Sequence, residues 1–372
     1  MHDFIPVNEP SLNGNEKRYL EECIETSWIS SEGPFVKQFE NDFSARMNRS
    51  FGISVVNGSV ALDIAVAALD IGPGDEVIIP TFTIISCAAA IVRAGAKPVL
   101  VDCDINTWNM DVNQVQQKIS DRTKAIMVVH IYGLPVDLNP ILDLAKKHNL
   151  YIIEDAAEVI GQTYYDKPCG SFGDISTFSF YPNKHITTGE GGMVLTNDPE
   201  IAEKCRAKRN LCFKREQRFL HDELGWNYRF SNIQAAIGVA QLEKLDSSII
   251  RKREIGKRYL KNLKGINNIQ IPVLETDYAE NIFWVFGILL EDDKFEDAKV
   301  VMQALKNKNI GTRPFFWPMH EQPVFHKMGL FQNESYPNSE KIARRGFYIP
   351  SGLAITNDQI DIVSDTLIEL FS

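Results

Sequence analysis

Four common catalytic signatures are missing from this chain of 372 residues. It has no G-x-x-x-x-G-K-[ST] loop, no G-x-G-x-x-G after the first predicted strand, no H-E-x-x-H and no G-x-S-x-G. P-loop hydrolases, dinucleotide-binding oxidoreductases, zinc peptidases and α/β-hydrolases therefore lose their main sequence support. The chemistry has to be sought in other patterns.

Excess positive charge and long apolar runs are also missing. The formal net charge is −10, whereas proteins that bind nucleic acid or anionic membranes usually present a basic face. Asp63, Asp70 and Arg93 interrupt the most apolar stretches before they reach the roughly 18 residues of a membrane span. The N-terminus lacks the basic and apolar regions of a secretory signal peptide. We predict a cytoplasmic protein that binds neither nucleic acid nor a membrane.

The chain has no C-x-x-C pair, although it contains six cysteines. Because no secretory signal is recognised, we expect these thiols to be reduced and mostly packed, and we predict no metal site. The cysteines are Cys23, Cys87, Cys103, Cys169, Cys205 and Cys212.

What the sequence does contain is an alternation of short β-branched runs with helical patterns. This alternation predicts an α/β fold with a mainly parallel sheet covered by helices on both faces. Strands are predicted at 52–56, 76–79, 98–101, 125–130, 151–154, 175–180 and 192–196. Helices are predicted at 59–68, 86–94, 112–119, 138–148 and 199–209.

The spacing of elements changes after a charged helix predicted over 232–263. Strands near 284–289 and 312–316 then alternate with helices, which indicates a smaller α+β unit. We predict an N-terminal segment, 1–30, that packs with the small domain, a large domain over 31–245 and a small C-terminal domain over 246–372.

Two strand ends carry side chains suited to a ligand, because an open α/β sheet binds ligands at the carboxyl ends of its strands. Asn57, Gly58, Ser59 and Val60 join a strand to a helix and could form a phosphate site, although Ser59 could equally be only the helix N-cap. The segment 154–158, Glu-Asp-Ala-Ala-Glu, follows another apolar strand. A carboxylate there could hold a cofactor ring or could cap the next element.

Lys184 lies between aromatic and β-branched residues and a Gly-rich turn. Burial near apolar surface would disfavour its ammonium form and leave an amine able to form a Schiff base. The alternative is a surface lysine whose stem packs on apolar neighbours while its charge stays in water. The local sequence leaves both interpretations open.

The order and spacing of four motifs resemble the DegT/DnrJ/EryC1/StrS family of sugar aminotransferases, across nearly the whole chain. These motifs are Asn57-Gly58-Ser59, the 154–158 segment, Phe178-Ser179-Phe180 with Lys184, and Gly225-Trp226-Asn227-Tyr228-Arg229. The resemblance implies the aspartate-aminotransferase-like fold (fold type I), with a mixed, mainly parallel seven-stranded sheet. It also implies a homodimer with shared active sites.

The resemblance further implies pyridoxal 5′-phosphate (PLP) as cofactor, present as pyridoxamine 5′-phosphate during the cycle. Lys184 would be the Schiff-base lysine, and Asp155 would pair with the ring nitrogen and matter more than Glu154. Glu158 would lie beside the ring oxygen, where most relatives have Gln or His. The phosphate would be held by Ser59, the Val60 amide, Ser179 and, from the second subunit, Asn227.

One position departs from the family pattern. Close relatives often have an aromatic residue that stacks on the cofactor, where this chain has Ile84 after Pro80-Thr81-Phe82-Thr83. We expect the ring to rest on the aliphatic surface of Ile84, with Phe82 as the alternative.

The reaction implied is amino transfer from L-glutamate, which leaves as 2-oxoglutarate, to a nucleotide-linked keto sugar. We favour C4 of GDP-4-keto-6-deoxymannose, with UDP- or TDP-linked 4-keto or 3-keto sugars as alternatives. Related dehydratases carry histidine at the position of Lys184, so we interpret His185 as a neighbour and a candidate sugar contact.

Three further residues are candidate substrate contacts. Arg313 and His320 could contact the nucleotide sugar, and Arg229 could hold the donor carboxylate, since guanidinium groups pair well with carboxylate and phosphate. Alternatively, His320 caps a turn and the arginines belong to intersubunit ion pairs.

Two other functional classes agree less well with the sequence. A non-catalytic regulator of the same family would not need Lys184, Asp155 and Ser179 together. A nicotinamide-dependent sugar oxidoreductase would need the dinucleotide-binding loop that the chain lacks.

Overall fold

The computed structural model describes residues 2–214, 216–291 and 294–372. The strands are β1 (Phe51–Val55), β2 (Glu76–Pro80), β3 (Lys97–Val101), β4 (Thr123–Val129), β5 (Tyr151–Asp155), β6 (Thr163–Tyr164), β7 (Lys167–Pro168), β8 (Ile175–Ser179), β9 (Gly192–Thr196), β10 (Ile269–Gln270), β11 (Phe286–Leu290), β12 (Arg313–Pro314) and β13 (Gly346–Ile349).

The helices surround these strands. They are α1 (Glu16–Glu25), α2 (Pro34–Arg46), α3 (Gly58–Ala68), α4 (Ile85–Arg93), α5 (Val112–Lys118), α6 (Leu138–His148), α7 (Pro199–Arg209), α8 (Asn232–Leu242), α9 (Leu245–Asn262), α10 (Ala298–Asn307), α11 (Pro323–Lys327), α12 (Pro337–Arg345) and α13 (Asn357–Phe371), with a 3-10 helix at Met319–Glu321. Within the described ranges, no helix is both long and apolar enough to cross a membrane.

The large sheet has seven strands in the order β1-β9-β8-β5-β4-β2-β3. Pairing is parallel except along β9, which runs antiparallel to both of its neighbours. Its strands are almost entirely buried, as expected for a sheet covered on both faces. The predicted mixed, mainly parallel α/β fold is confirmed, and every strand of this sheet lies where the sequence predicts one.

A second sheet is antiparallel, in the order β10-β11-β13-β12. The core around it includes residues of α9, α10 and α13. The N-terminal segment is tied to this region, because Ile5 pairs with Ile310 and the Ser351 N–H donates to the Val7 carbonyl. Helix α1 packs instead against α8.

The single charged helix predicted over 232–263 is wrong in one respect. Two helices, α8 and α9, occupy this stretch, and Lys244 between them has φ −107° and ψ 5°, outside the helical range. Helix α8 buries most of its residues, whereas α9 is amphipathic, so the two helices pack in different surroundings.

Lys252 on α9 binds, through its amino group, the segments that flank β11 and β13 of the second sheet. Its side chain is buried, and Nζ donates to the carbonyls of Trp284 at 2.7 Å and Ser351 at 2.6 Å. Burial lowers the pKa of this amine to about 7. Folding therefore favours loss of the proton from this amine, and this loss costs less free energy at alkaline pH.

Replacing Lys252 with methionine should remove a pH dependence of stability. Between about pH 7 and the ordinary lysine pKa of about 10.4, the unfolded chain binds the proton and the folded chain does not. The unfolding free energy of the wild type should therefore rise relative to Lys252→Met by up to about 1.4 kcal/mol per pH unit. Urea unfolding from pH 6 to 9.5 measures this, with the exposed Lys261→Met as control. A constant difference would contradict the assignment.

Candidate functional site

A cavity of about 750 Å³ opens at the carboxyl edge of the large sheet, within the usual size range of small-molecule sites. Most of the predicted cofactor residues meet there. Those that line it are Asn57, Gly58, Ser59, Val60, Ile84, Asp155, Glu158, Ser179 and Lys184.

One end of the cavity is formed where β1 leads into α3. The N-cap of α3 is Asn57, whose Oδ1 accepts from the Val60 N–H at 3.0 Å, so the interpretation of Ser59 as the cap is wrong. The Ser59 hydroxyl lies 2.7 Å from the Ser86 hydroxyl. A Cβ added at Gly58 would come within 2.7 Å of Ser179 Cβ, which shows how closely β8 approaches this helix start. Small residues and a helix N-terminus together suit a phosphate group.

Asp155 ends β5, lines the same cavity and is 4% exposed. Its Oδ1 accepts from the Ala157 N–H at 3.1 Å, and its Oδ2 accepts from the Cys87 thiol at 3.3 Å. Burial raises the pKa of Asp155, while these hydrogen bonds and Lys184 oppose the rise. A buried carboxylate with hydrogen-bonding capacity left toward the cavity suits a cationic ring nitrogen.

Glu154, the preceding residue, points away from the cavity because neighbouring strand residues face opposite sides of a sheet. The Val136 N–H donates to Nδ1 of His130, so Nε2 of that ring carries the hydrogen and donates to Glu154 at 3.0 Å. The same carboxylate accepts from the N–H groups of Gly170 and Phe172. Glu154 therefore anchors the loop before β8.

Lys184 lies in a turn, where its backbone N–H donates to the Tyr181 carbonyl. The Lys184 side chain is 9% exposed. The surface-lysine alternative is therefore wrong. Its Nζ lies 3.6 Å from the centroid of the Trp284 ring and 3.9 Å from Oε1 of Glu158. Burial lowers the pKa of Lys184, and the charges of Glu158 and Asp155 oppose this shift.

Glu158 faces Lys184 across the cavity. Its Oε2 accepts from the Tyr132 N–H at 2.9 Å. Burial raises the pKa of Glu158 to about 7, against the opposing effect of the Lys184 charge. The proximity of the two groups therefore favours the ionised form of each, against the effect of burial.

The aliphatic surface expected at the cofactor ring is present. Ile84 lines the cavity, whereas Phe82 is fully buried and packs against Tyr132, Phe315 and Phe316. The arrangement favours Ile84 over Phe82 as the surface on which the cofactor ring would rest.

The structure does not bring the four candidate substrate contacts into the cavity. His185 is completely buried and does not line the cavity. His320 bonds Thr81 at 2.8 Å and Glu340 at 3.1 Å, so both ring nitrogens are engaged, which favours its structural alternative. Arg229 donates to Asn227, and Arg313 is exposed on β12.

Sequence reasoning missed the aromatic wall of the cavity, formed by Trp284, Phe316 and Tyr348. It also missed Cys87, which touches Asp155 from α4. No local motif marks these residues, since they come from segments far along the chain from Lys184. The Trp284 indole N–H donates to the Asn183 carbonyl at 2.7 Å, which holds the ring beside the lysine.

Comparison with known proteins agrees with this geometry. The model of the DegT/DnrJ/EryC1/StrS aminotransferase family matches residues 10–368. GDP-perosamine synthase of Escherichia coli O157:H7 is 42% identical over 369 residues, covering 99% of each chain. UDP-N-acetyl-3-dehydro-alpha-D-glucosamine 3-aminotransferase of Acidithiobacillus ferrooxidans is 38% identical over 360 residues, covering 96% of this chain and 92% of that protein.

A solved structure shares the architecture. The crystal structure of DesV from S. venezuelae has a TM-score of 0.92 and 31% identity, covering 100% of this chain and 99% of the other. The fold expected from the family resemblance is confirmed. On the matched family model, the relatives and this likeness, the chain belongs to the DegT/DnrJ/EryC1/StrS family of aminotransferases, with pyridoxal phosphate as its cofactor.

Proposed function

We propose that this enzyme transfers an amino group from L-glutamate to C4 of GDP-4-keto-6-deoxymannose, giving GDP-perosamine, a precursor of O-antigen sugars. The observation that carries the proposal is that Lys184 lines the same cavity as Asp155, Glu158 and the start of α3. Identity of 42% to a GDP-perosamine synthase over nearly the whole chain supports the sugar and nucleotide.

The described residues fit the cofactor. The start of α3 with Gly58 and Ser179 offers a seat for a phosphate, and Asp155 offers a buried carboxylate in the same cavity. Ile84 adds apolar surface to the lining of this cavity. Lys184 is the lysine that lines this cavity.

When bound, pyridoxal phosphate supplies an electron sink through its protonated ring. Asp155 would hold the proton on the ring nitrogen by a charge-assisted hydrogen bond. Lys184 Nζ would hold the cofactor and would carry a proton to and from the reacting carbon. Trp284 and Glu158 hold that amine in place.

The test is to load the enzyme with glutamate and offer GDP-, UDP- and TDP-linked keto sugars, identifying the aminated product by mass spectrometry and NMR. Amination of the GDP-linked 4-keto sugar at C4 is expected. Turnover confined to a UDP- or TDP-linked sugar would overturn the substrate, and turnover on none would overturn the function. The UDP-linked 3-keto alternative has a specific basis in the Acidithiobacillus ferrooxidans relative.

We also propose a homodimer in which Asn227 reaches the cavity of the second subunit. Asn227 is exposed and lies outside the cavity of its own chain. Its segment exposes apolar side chains that a partner would cover, with Phe219 82% and Leu224 89% exposed. We also propose that the enzyme is located in the cytoplasm.

Mixing two inactive variants tests this arrangement. Lys184→Ala and Asn227→Asp should each be inactive, the second because a carboxylate would repel the cofactor phosphate. A mixed dimer holds one cavity with both native residues, so up to about a quarter of wild-type activity should return after the subunits exchange at random. Absence of recovery in dimers shown by mass spectrometry to be mixed would contradict a shared site.

Gly58→Ala should weaken binding of pyridoxal phosphate at least tenfold. The new Cβ would meet Ser179 Cβ at 2.7 Å, in the seat proposed for the phosphate. Gly72→Ala is the matched control, because the nearest atom to its Cβ is 3.7 Å away. Titration of the apoenzyme, followed by absorbance, measures both, and equal affinities would place the phosphate elsewhere.

A further inference from the structure

Cys87 touches the carboxylate that faces the cofactor ring. The residue is completely buried near the start of α4, and its Sγ lies 3.3 Å from Oδ2 of Asp155. The hydroxyl of Thr83, one turn earlier, lies 3.4 Å from the same sulfur. Because the Ala157 N–H binds Oδ1, each carboxylate oxygen is held by one donor.

The direction of the thiol hydrogen bond follows from chemistry. An ionised carboxylate only accepts hydrogen bonds, so the S–H group of Cys87 is the donor. Burial raises the pKa of this thiol well above its ordinary value, and the nearby Asp155 charge adds to the shift. The thiol thus stays protonated at neutral pH and remains a donor.

Holding Asp155 in this way has a consequence for the cofactor. Burial favours the neutral form of Asp155, whereas the Cys87 hydrogen bond favours the ionised form. Only the ionised form can pair with a protonated ring nitrogen. A donor on Oδ2 also restricts rotation of the carboxylate about its terminal torsion, which is otherwise broad.

We propose that Cys87 is a positioning residue, whose thiol orients Asp155 and stabilises its ionised form for pairing with the ring nitrogen of pyridoxal phosphate. The inference concerns the binding and protonation of the cofactor and is independent of the sugar substrate. The proposed role applies to Cys87 and not to Cys205, which is buried in the same apolar cluster but lies on α7.

The test compares Cys87→Ala, Cys87→Ser and Cys205→Ala as apoenzymes titrated with pyridoxal phosphate. Loss of the donor in Cys87→Ala should weaken cofactor binding about tenfold, whereas the serine hydroxyl should restore it to within about threefold of the wild type. Cys205→Ala removes the same atoms from the same cluster and should bind as the wild type does.

The pH dependence of the visible absorbance of the bound cofactor gives a second readout that simple loss of packing would not move. Its midpoint should shift in Cys87→Ala and return in Cys87→Ser. Wild-type affinity and midpoint in Cys87→Ala would overturn the proposal, as would equal defects in the serine and alanine variants. If Cys87→Ala does not fold, Cys87→Val, which fills the space without a donor, takes its place in the same comparison.

Discussion

Lys184→Ala is expected to lose amino transfer by roughly a thousandfold or more, together with covalent attachment of the cofactor. The amine of Lys184 is the group that we propose to attach pyridoxal phosphate and to move the proton at the reacting carbon. The other buried lysine, Lys252, donates to two backbone carbonyls and does not line the cavity. Borohydride reduction followed by peptide mass spectrometry should find the cofactor on Lys184 in the wild type and on no lysine in the variant.

Lys184→Arg separates charge from chemistry. The guanidinium keeps a cation near Trp284 and Glu158 but cannot act as a free amine at neutral pH. It should therefore be as inactive as Lys184→Ala. Sugar reduction by NAD(P)H that persists in Lys184→Ala would favour the nicotinamide-dependent class instead.

Asp155→Asn is expected to lower the rate of the glutamate half-reaction about a hundredfold to a thousandfold. The substitution removes the charge that we propose to hold a proton on the ring nitrogen, and breaking a buried charge pair typically costs about 3–5 kcal/mol. Single-turnover absorbance changes on adding glutamate measure the effect.

Glu154→Gln is the matched control for Asp155→Asn, because the two acids are adjacent but face opposite sides of β5. The Gln amide would present hydrogens where Glu154 now accepts from Gly170, Phe172 and His130. It should lower the melting temperature yet leave the rate per folded subunit within about threefold of the wild type. If both variants lost the half-reaction equally, Asp155 would have no special role at the ring nitrogen.

Much of the fold follows from local patterns. Strands that are buried on both faces have sequences of short apolar, β-branched runs. For this reason β1 to β5, β8 and β9 lie where they are predicted. The break at Lys244 was missed because an apolar helix and an amphipathic one follow each other without glycine or proline. Helical propensity alone does not separate them.

Local sequence likewise predicts only part of the candidate site. The four motifs and their order along the chain identify the family and predict Lys184 and Asp155, because each motif is contiguous. Whether Lys184 is buried, whether Asn57 or Ser59 caps α3, and whether His320 is free for a ligand depend on neighbours distant in the sequence.

By itself, the sequence determined the fold class and, through the family resemblance, the cofactor, and it marked Lys184 and the residues at two strand ends as candidates for the site. Only the tertiary structure decided that Trp284 lies against Lys184, that Glu158 faces the same amine and that Cys87 holds Asp155. The physical reason is that local patterns specify which elements form and which face is apolar. The order of strands in the sheet and the packing of α4 and the C-terminal sheet around it then decide which side chains meet.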